Sequence, residues 1–189
     1  MVTTGRHRGP AAPDYRAAAV IALLYFWREQ WYLPFLLRPA WMTSHAGQIS
    51  LPGGATDAGE TAEQCALREL GEELGVTNQQ VRVLGRLSPI CVFASNFCVT
   101  PFVAACSSRP DFHPNRDEVE HLFELPLEYL LDPVRYGSCL IRRGGLQFRA
   151  PGILVGKRRI WGATGVILDE LLPVLDHWLQ CVTRRHEAL

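Results

Sequence analysis

Acidic residues crowd one short stretch of this chain. Between Gly54 and Val76 it reads G-A-T-D-A-G-E-T-A-E-Q-C-A-L-R-E-L-G-E-E-L-G-V, with Asp57, Glu60 and Glu63 spaced along its first half and Glu69, Glu72 and Glu73 close together beside Arg68. Thr61 and Gln64 form a capping-box pattern that predicts a helix start there. Gly75 supplies the stop, and the Ala, Leu, Glu and Gln between them favour helix. At about 100° per residue, Glu69, Glu72 and Glu73 fall within roughly 100° of one another, with Leu67, Leu70 and Leu74 nearly opposite. The leucines are expected to bury against a sheet while the three carboxylates face outward as one cluster. Like charges at this spacing repel, and a hard divalent cation, Mg²⁺ or Mn²⁺, is the counter-charge that fits carboxylate oxygens best. A solvated acidic face is the plain alternative. Two features argue against it: Gly53-Gly54 after Ile49-Ser50-Leu51-Pro52, which permits close backbone approach, and Glu60, set ahead of the helix where Arg68 can pair with it.

The whole pattern is G-x5-E-x7-R-E-U-x-E-E-x-G-U, with U aliphatic, and it resembles the Nudix box at every specified position. The resemblance implies a metal-dependent hydrolase of diphosphates linked to another group. It implies Glu69 and Glu73 as metal ligands, Glu72 sharing a second ion, and a backbone carbonyl of Gly53 joining the coordination. Arg68, Glu69, Glu72 and Glu73 are then the candidate catalytic residues. Glu118, in Asp117-Glu118-Val119-Glu120, occupies a position where such enzymes often carry a further acidic ligand or base; a solvated loop is the equal alternative. The resemblance also implies an α/β/α sandwich with a mixed β-sheet, and a possible homodimer.

Upstream, Ser44 to Gly54 resembles the segment that precedes the box in coenzyme A diphosphatases, where L-L-T-x-R-S-x3-R-x-H-x-G-Q-x-x-F-P-G-G is typical. Arg38, His45, Gly47, Gln48 and Pro52 keep their places. Arg38, His45, Gln48 and Gly54 are therefore the candidate substrate-binding residues, although His45 and Gln48 also read as loop and turn residues. Trp161-Gly162-Ala163-Thr164 resembles the W-G-x-T element that opens the last helix of that subfamily. The departures are Thr43 for arginine, Leu51 for phenylalanine, Pro34 and Phe35 for two leucines, Leu36 for threonine and Pro39 for serine. The missing arginine removes one partner for a phosphate. Substrates of the ADP-ribose, dinucleotide or nucleoside triphosphate type thus stay open. A non-catalytic ligand-binding regulator is the alternative from another class, against which the intact box carboxylates stand. Trp41, Trp161 and Phe97 read as core residues or as platforms for an adenine.

These residues need a scaffold, and 189 residues are enough for one domain with a sizeable core, expected over residues 15–189. Apolar content of 48% and charged content of 20% match a soluble globular protein. The formal net charge is zero, so no basic field exists to hold a nucleic acid polymer. Arg142-Arg143 and Lys157-Arg158-Arg159 are local exceptions, read as solvated turns unless an anionic ligand recruits one. Six cysteines lack C-x-x-C or zinc spacing and read as buried free thiols in a reducing compartment. Residues 1–14 are polar and expected to be disordered, with no apolar core of a signal peptide. The apolar run Ala17 to Phe26 is too short to span a membrane. A cytoplasmic protein acting on a small nucleoside diphosphate derivative is the expectation.

Strands are predicted at Ala17 to Phe26 and Trp31 to Leu37, with a turn at Arg28-Glu29-Gln30, then near Ile49 to Leu51, at Val81 to Leu87 and at Cys98 to Cys106, where Pro101 predicts an edge or bulge. His121 to Leu125 reads as a strand, Leu127 to Leu131 as a short helix, and Ser138 to Arg149 as a hairpin turning at Gly144-Gly145. A final strand is expected over Ile153 to Trp161 and a long helix over Gly165 to Arg184. Strands interleaved with two principal helices suit a sheet covered on both faces.

Overall fold

A computed structural model of the protein describes residues 14–42, 45–92, 95–143 and 146–187. The expected disordered residues up to 13, Thr43, and the Gly144-Gly145 turn lie outside it. Strand β1 (Arg16–Trp27) is the centre. It alternates Ala19, Ile21, Leu23 and Tyr25 to one face with Ala18, Ala22 and Leu24 to the other, and all are buried. A strand covered on both faces reads as a continuous apolar run, which is why the sequence located it. Arg28 and Glu29, at φ 48° and 62°, then form a two-residue hairpin turn of the kind that matches strand twist. It leads into β2 (Gln30–Leu37), antiparallel to β1.

β2 pairs on its other side with β8 (His121–Pro126), and its C-terminal end holds the short β3 (Ile49–Ser50). β4 (Gly53–Ala55) pairs antiparallel with Ala18–Val20 of β1. β1 also runs parallel to β7 (Phe97–Cys106), which pairs in turn with β5 (Arg82–Arg86) and β6 (Ile90–Val92). The result is an eight-stranded mixed sheet.

Helix α1 (Ala62–Leu74) lies on one face through Cys65, Ala66, Leu70 and Leu74. Its capping box at Thr61 and its left-handed Gly75 stop (φ 72°) stand where the sequence placed them. The other face carries α2 (Leu127–Leu131) and α3 (Gly162–Glu187), which buries Ile167, Leu168, Leu171, Leu172 and Leu175. The mixed α/β class and the two covered faces agree with expectation.

Three expectations need correction. β7 is not an edge: Pro101 lies between β1 and the β5–β6 side. Its carbonyl accepts from Leu87 N at 2.8 Å, where β5 has ended and β6 has not begun, so its missing N–H falls at a break in the neighbouring strand. Residues 153–161 do not form one strand. The chain reverses at Gly156 (φ 57°) and Lys157, giving β10 (Leu146–Val155) and β11 (Arg158–Trp161). With β9 (Tyr136–Arg143) these make a separate three-stranded antiparallel sheet. Ile153 and Ile160 would face opposite sides of one continuous strand; across the hairpin they pair, and both are buried. Finally, Cys91 and Cys98, directly opposite across β6 and β7, are joined as a disulfide. Cys65, Cys106 and Cys139 are the buried free thiols foreseen, and Cys181 is free but exposed.

β1, β8 and the loop after β7 are tied by one polar network. Glu124 accepts from Arg109 Nε and Nη2, both at 2.7 Å, and from the buried Tyr25 hydroxyl at 2.7 Å. Burial alone would raise the Glu124 carboxyl, but the Arg109 fork and the Tyr25 hydroxyl outweigh it and hold it below the usual carboxylate range. A carboxyl depressed in the folded state contributes stability above its unfolded value, near 4.3, and loses it as pH falls through the folded value. Glu124→Gln is therefore expected to lower stability at pH 7 by about 1–3 kcal/mol. In melting curves recorded against pH, the gap between the parent and this variant should narrow in acid.

Candidate active site

On α1, the acidic residues do not share one solvent-facing rim. Glu73 is 1% exposed. Its helical direction differs from that of buried Ala66 by only about 20°, so it points toward the sheet. There its Oε2 accepts from Gly53 N at 2.8 Å, and its Oε1 lies 3.4 Å from Arg38 Nη1. Burial pushes this carboxyl up to about 8; the Gly53 N–H and Arg38 oppose the rise, while Glu69 and Glu118 add to it. Glu69 is also raised, by burial first, with Arg68 opposing and Glu72 and Glu118 reinforcing.

Arg68 organises the outer acids. Its Nε and Nη2 hold the two Glu60 oxygens at 2.9 and 3.1 Å, as the sequence pairing anticipates. Its Nη1 reaches Glu69 Oε1 at 2.9 Å and Glu72 Oε2 at 2.8 Å, and its Nη2 donates to Ala55 O at 3.0 Å. The Arg68 bond, then the Asp57 N–H, hold the Glu60 carboxyl below its ordinary value. Glu72, with its side chain 53% exposed, is drawn outward to Arg68.

Glu118, rather than Glu72, is the third carboxylate drawn close to Glu69 and Glu73. Single carboxylate oxygens of Glu69, Glu73 and Glu118 lie within 4.8 Å of one another. Glu118 arrives because the loop after β7 is fastened to the end of α1: His113 N donates to Leu74 O at 2.8 Å, and Asn115 N to Glu73 O at 2.9 Å. Asn115 then turns the chain, its carbonyl accepting from Glu118 N and Val119 N and its side-chain oxygen from Asp117 N. Sequence reading passed over Asn115, although Asn two residues before an amide is an Asx-turn signal.

The upstream flank closes the other side. Arg38 N donates to Gln48 O and Gly47 N to Arg38 O, both at 3.0 Å, and His45 Nδ1 lies 3.0 Å from Gln48 Oε1. Arg38, His45 and Gln48 are thus assembled into one turn next to Glu73, with His45 at φ 56° and Gly47 at φ 66°. Arg38 Nε is buried without a hydrogen-bond partner among the described residues. Gly54 sits so close to Glu69 that a Cβ would fall on its carboxylate, and a Cβ on Gly53 (φ 147°) would meet Ala19 O. Trp41 is largely exposed, Trp161 packs edge-on against Phe148, and Phe97 lies under the Arg16 guanidinium.

Residues 16–138 match the NUDIX domain. The chain belongs to the Nudix family. Among its relatives is "Uncharacterized Nudix hydrolase NudL" of Pectobacterium atrosepticum, 38% identical over 135 residues, which cover 71% of this chain and 70% of that protein. The fold is similar to that of RenU, a Nudix hydrolase from M. smegmatis, with TM-score 0.54, 24% identity, and coverage of 62% of this chain and 74% of the other. It is also similar to the NUDIX domain of Shewanella oneidensis NrtR complexed with ADP ribose, with TM-score 0.50, 19% identity, and coverage of 64% and 79%. This Nudix protein is a pyrophosphohydrolase of the class that acts on nucleoside diphosphate derivatives. No helix among its described residues is long and apolar enough to cross a membrane.

Nudix hydrolases generally use divalent metals, and this donor set fits one. Three carboxylates converge, all hard oxygen donors, and one of them is buried with its charge incompletely offset. Gly54→Ala would displace the Glu69 carboxylate. It is expected to weaken Mn²⁺ or Mg²⁺ uptake about 10–100-fold by calorimetry, whereas Gly85→Ala, where a Cβ meets nothing within 4 Å, should leave uptake unchanged.

Proposed function

We propose that this Nudix hydrolase cleaves the diphosphate of coenzyme A or its thioesters, giving 3′,5′-ADP and a 4′-phosphopantetheine species. The observation that carries this reading is the junction at Arg38. The flank bearing His45, Gly47 and Gln48 folds onto its backbone, while its guanidinium reaches Glu73 of the carboxylate cluster. The residues that resemble the coenzyme A subfamily are thereby placed beside those that resemble the Nudix box.

In this proposal Glu69, Glu73 and Glu118 would hold Mg²⁺ or Mn²⁺ together with backbone at Gly53. When bound, the cation screens the diphosphate oxygens and makes a bound water more acidic. Glu72 is proposed at the margin of this set, where its exposed carboxylate can leave Arg68 for a second ion. Arg68 fixes the loop carrying Glu60 and Ala55 against α1 and holds Glu69 in place. Arg38, whose guanidinium is held only loosely by Glu73, is proposed to donate to a phosphate oxygen, with His45 and Gln48 on the same turn. Gly54 keeps the backbone flat enough for Glu69 and substrate to approach together. Glu118, the member of the carboxylate group that comes from outside the box, is also proposed as a group able to take a proton from the attacking water.

Purified protein incubated with coenzyme A and Mg²⁺ or Mn²⁺ should release 3′,5′-ADP, resolved by chromatography. Chelation should abolish the release, and Glu69→Gln should reduce it by orders of magnitude. Absence of cleavage across several cations would count decisively against the substrate. ADP-ribose is the second reading, favoured by the residue change at Thr43 and by the fold likeness to the NrtR domain that carries ADP ribose. Higher kcat/KM for ADP-ribose than for coenzyme A in a side-by-side panel would establish it instead.

A further inference from the structure

The β10–β11 turn puts Gly156, Lys157 and Arg158 in succession on the surface, and Lys157 makes no ion pair among the described residues. β11 packs against β3, the strand that leads to Pro52 and Gly53. Arg158 Nη2 lies 3.6 Å from Glu120 Oε1, and Glu120 N donates to Leu37 O at 2.9 Å. Arg38 follows Leu37, and Glu118 precedes Glu120 by two residues, a span of at most about 7 Å of chain. The turn therefore borders both segments that deliver charged groups to the carboxylate cluster.

Among the described residues, four ion pairs that join different segments fall into two kinds. Arg68 and Arg109 grip Glu60 and Glu124 in forks, with closest approaches of 2.9 and 2.7 Å. Arg38–Glu73 and Arg158–Glu120 are looser, at 3.4 and 3.6 Å, beyond the range of a well-formed charge-assisted bond. The Arg158–Glu120 side chains are 45% and 37% exposed, so their pairing contributes little. A guanidinium so weakly held, next to an ammonium with no ion pair among the described residues, is suited to a dianion, with the guanidinium giving directional bonds and the ammonium a point charge.

We propose that Lys157 and Arg158 form a second anion subsite, which takes a phosphate monoester that the substrate carries outside the scissile diphosphate. The assignment rests on the coenzyme A reading, in which the 3′-phosphate is that group. Arg158 exchanges Glu120 for the phosphate, and Glu120 turns to solvent.

The test compares coenzyme A with 3′-dephospho-coenzyme A. Wild-type protein should favour the former about tenfold in kcat/KM, through KM, and Lys157→Ala/Arg158→Ala should bring the ratio close to one. Lys157→Ala alone should give an intermediate ratio. Arg82→Ala/Arg86→Ala removes equal charge from β5 at the far side of the sheet and should leave the ratio intact. An unchanged ratio in the first double variant, or equal erosion in the second, overturns the subsite. Calorimetry with 3′,5′-ADP and 5′-AMP separates this proposal from the substrate reading. Tighter binding of 3′,5′-ADP, lost in the Lys157/Arg158 variant, upholds the subsite even if coenzyme A is not cleaved. Equal affinities sink it even if coenzyme A is the substrate.

Discussion

Negative charge concentrated at the buried end of α1 is the constraint around which the rest is arranged. Two carboxylates about 5 Å apart repel by roughly 3 kcal/mol at an effective dielectric of about 20, and here three converge while one has almost no access to water. Without a cation the strain is relieved by holding Glu73 toward its protonated form, consistent with a pKa pushed up to about 8. The Gly53 N–H and Arg38 moderate the charge without cancelling it. What such a group lacks is a compact positive charge, which is also what a diphosphate lacks. One ion can serve both, and this is the physical link between the crowded carboxylates and the chemistry of the family.

The scaffold's local peculiarities serve that arrangement. Glycine at 54 is required because Glu69 occupies the space of a Cβ, and Gly75 ends α1 so that its last carbonyls are free to receive the loop carrying Glu118. Arg68 spends its whole donor set locally, on Glu60, Glu69, Glu72 and Ala55, which fixes loop to helix and leaves Glu69 one direction in which to point. Glu60, Glu69 and Glu72 are thus held by Arg68 and Glu73 by the Gly53 N–H, a division that spacing along a helix does not express.

Much of the site was legible beforehand because it is local. The capping box, the glycine stop and the Glu60–Arg68 pairing depend on residues within one or two helical turns or an adjoining loop. Glu73 was misplaced because a helical wheel compares residues with one another and not with the sheet: it grouped Glu73 with Glu72, although buried Ala66 lies closest in direction. The hairpin at Gly156 was missed because the β-formers on either side, Ile153 to Val155 and Ile160-Trp161, were joined into one strand across Gly156-Lys157, where the glycine marks the reversal. The position of β7 was missed because Pro101 was weighed without the gap between β5 and β6 that accommodates it. The Cys91–Cys98 pairing was not seen because nothing in their spacing discloses that β6 and β7 lie side by side.

The sequence by itself determined the class of chemistry, since the spacing of one glycine, four glutamates and one arginine sets which side chains a single helix and its leading loop can offer. It also determined the layered α/β character, through apolar runs long enough to be covered on both faces. Only the tertiary structure decided which carboxylates meet. Glu118 joins Glu69 and Glu73 from a loop more than forty residues away because its backbone is hydrogen-bonded to the end of α1, whereas Glu72, immediately next to Glu73, is turned aside by Arg68. Convergence of like charges is opposed by their own repulsion, so it is imposed by backbone bonds and packing elsewhere in the fold, and those are properties of the whole chain.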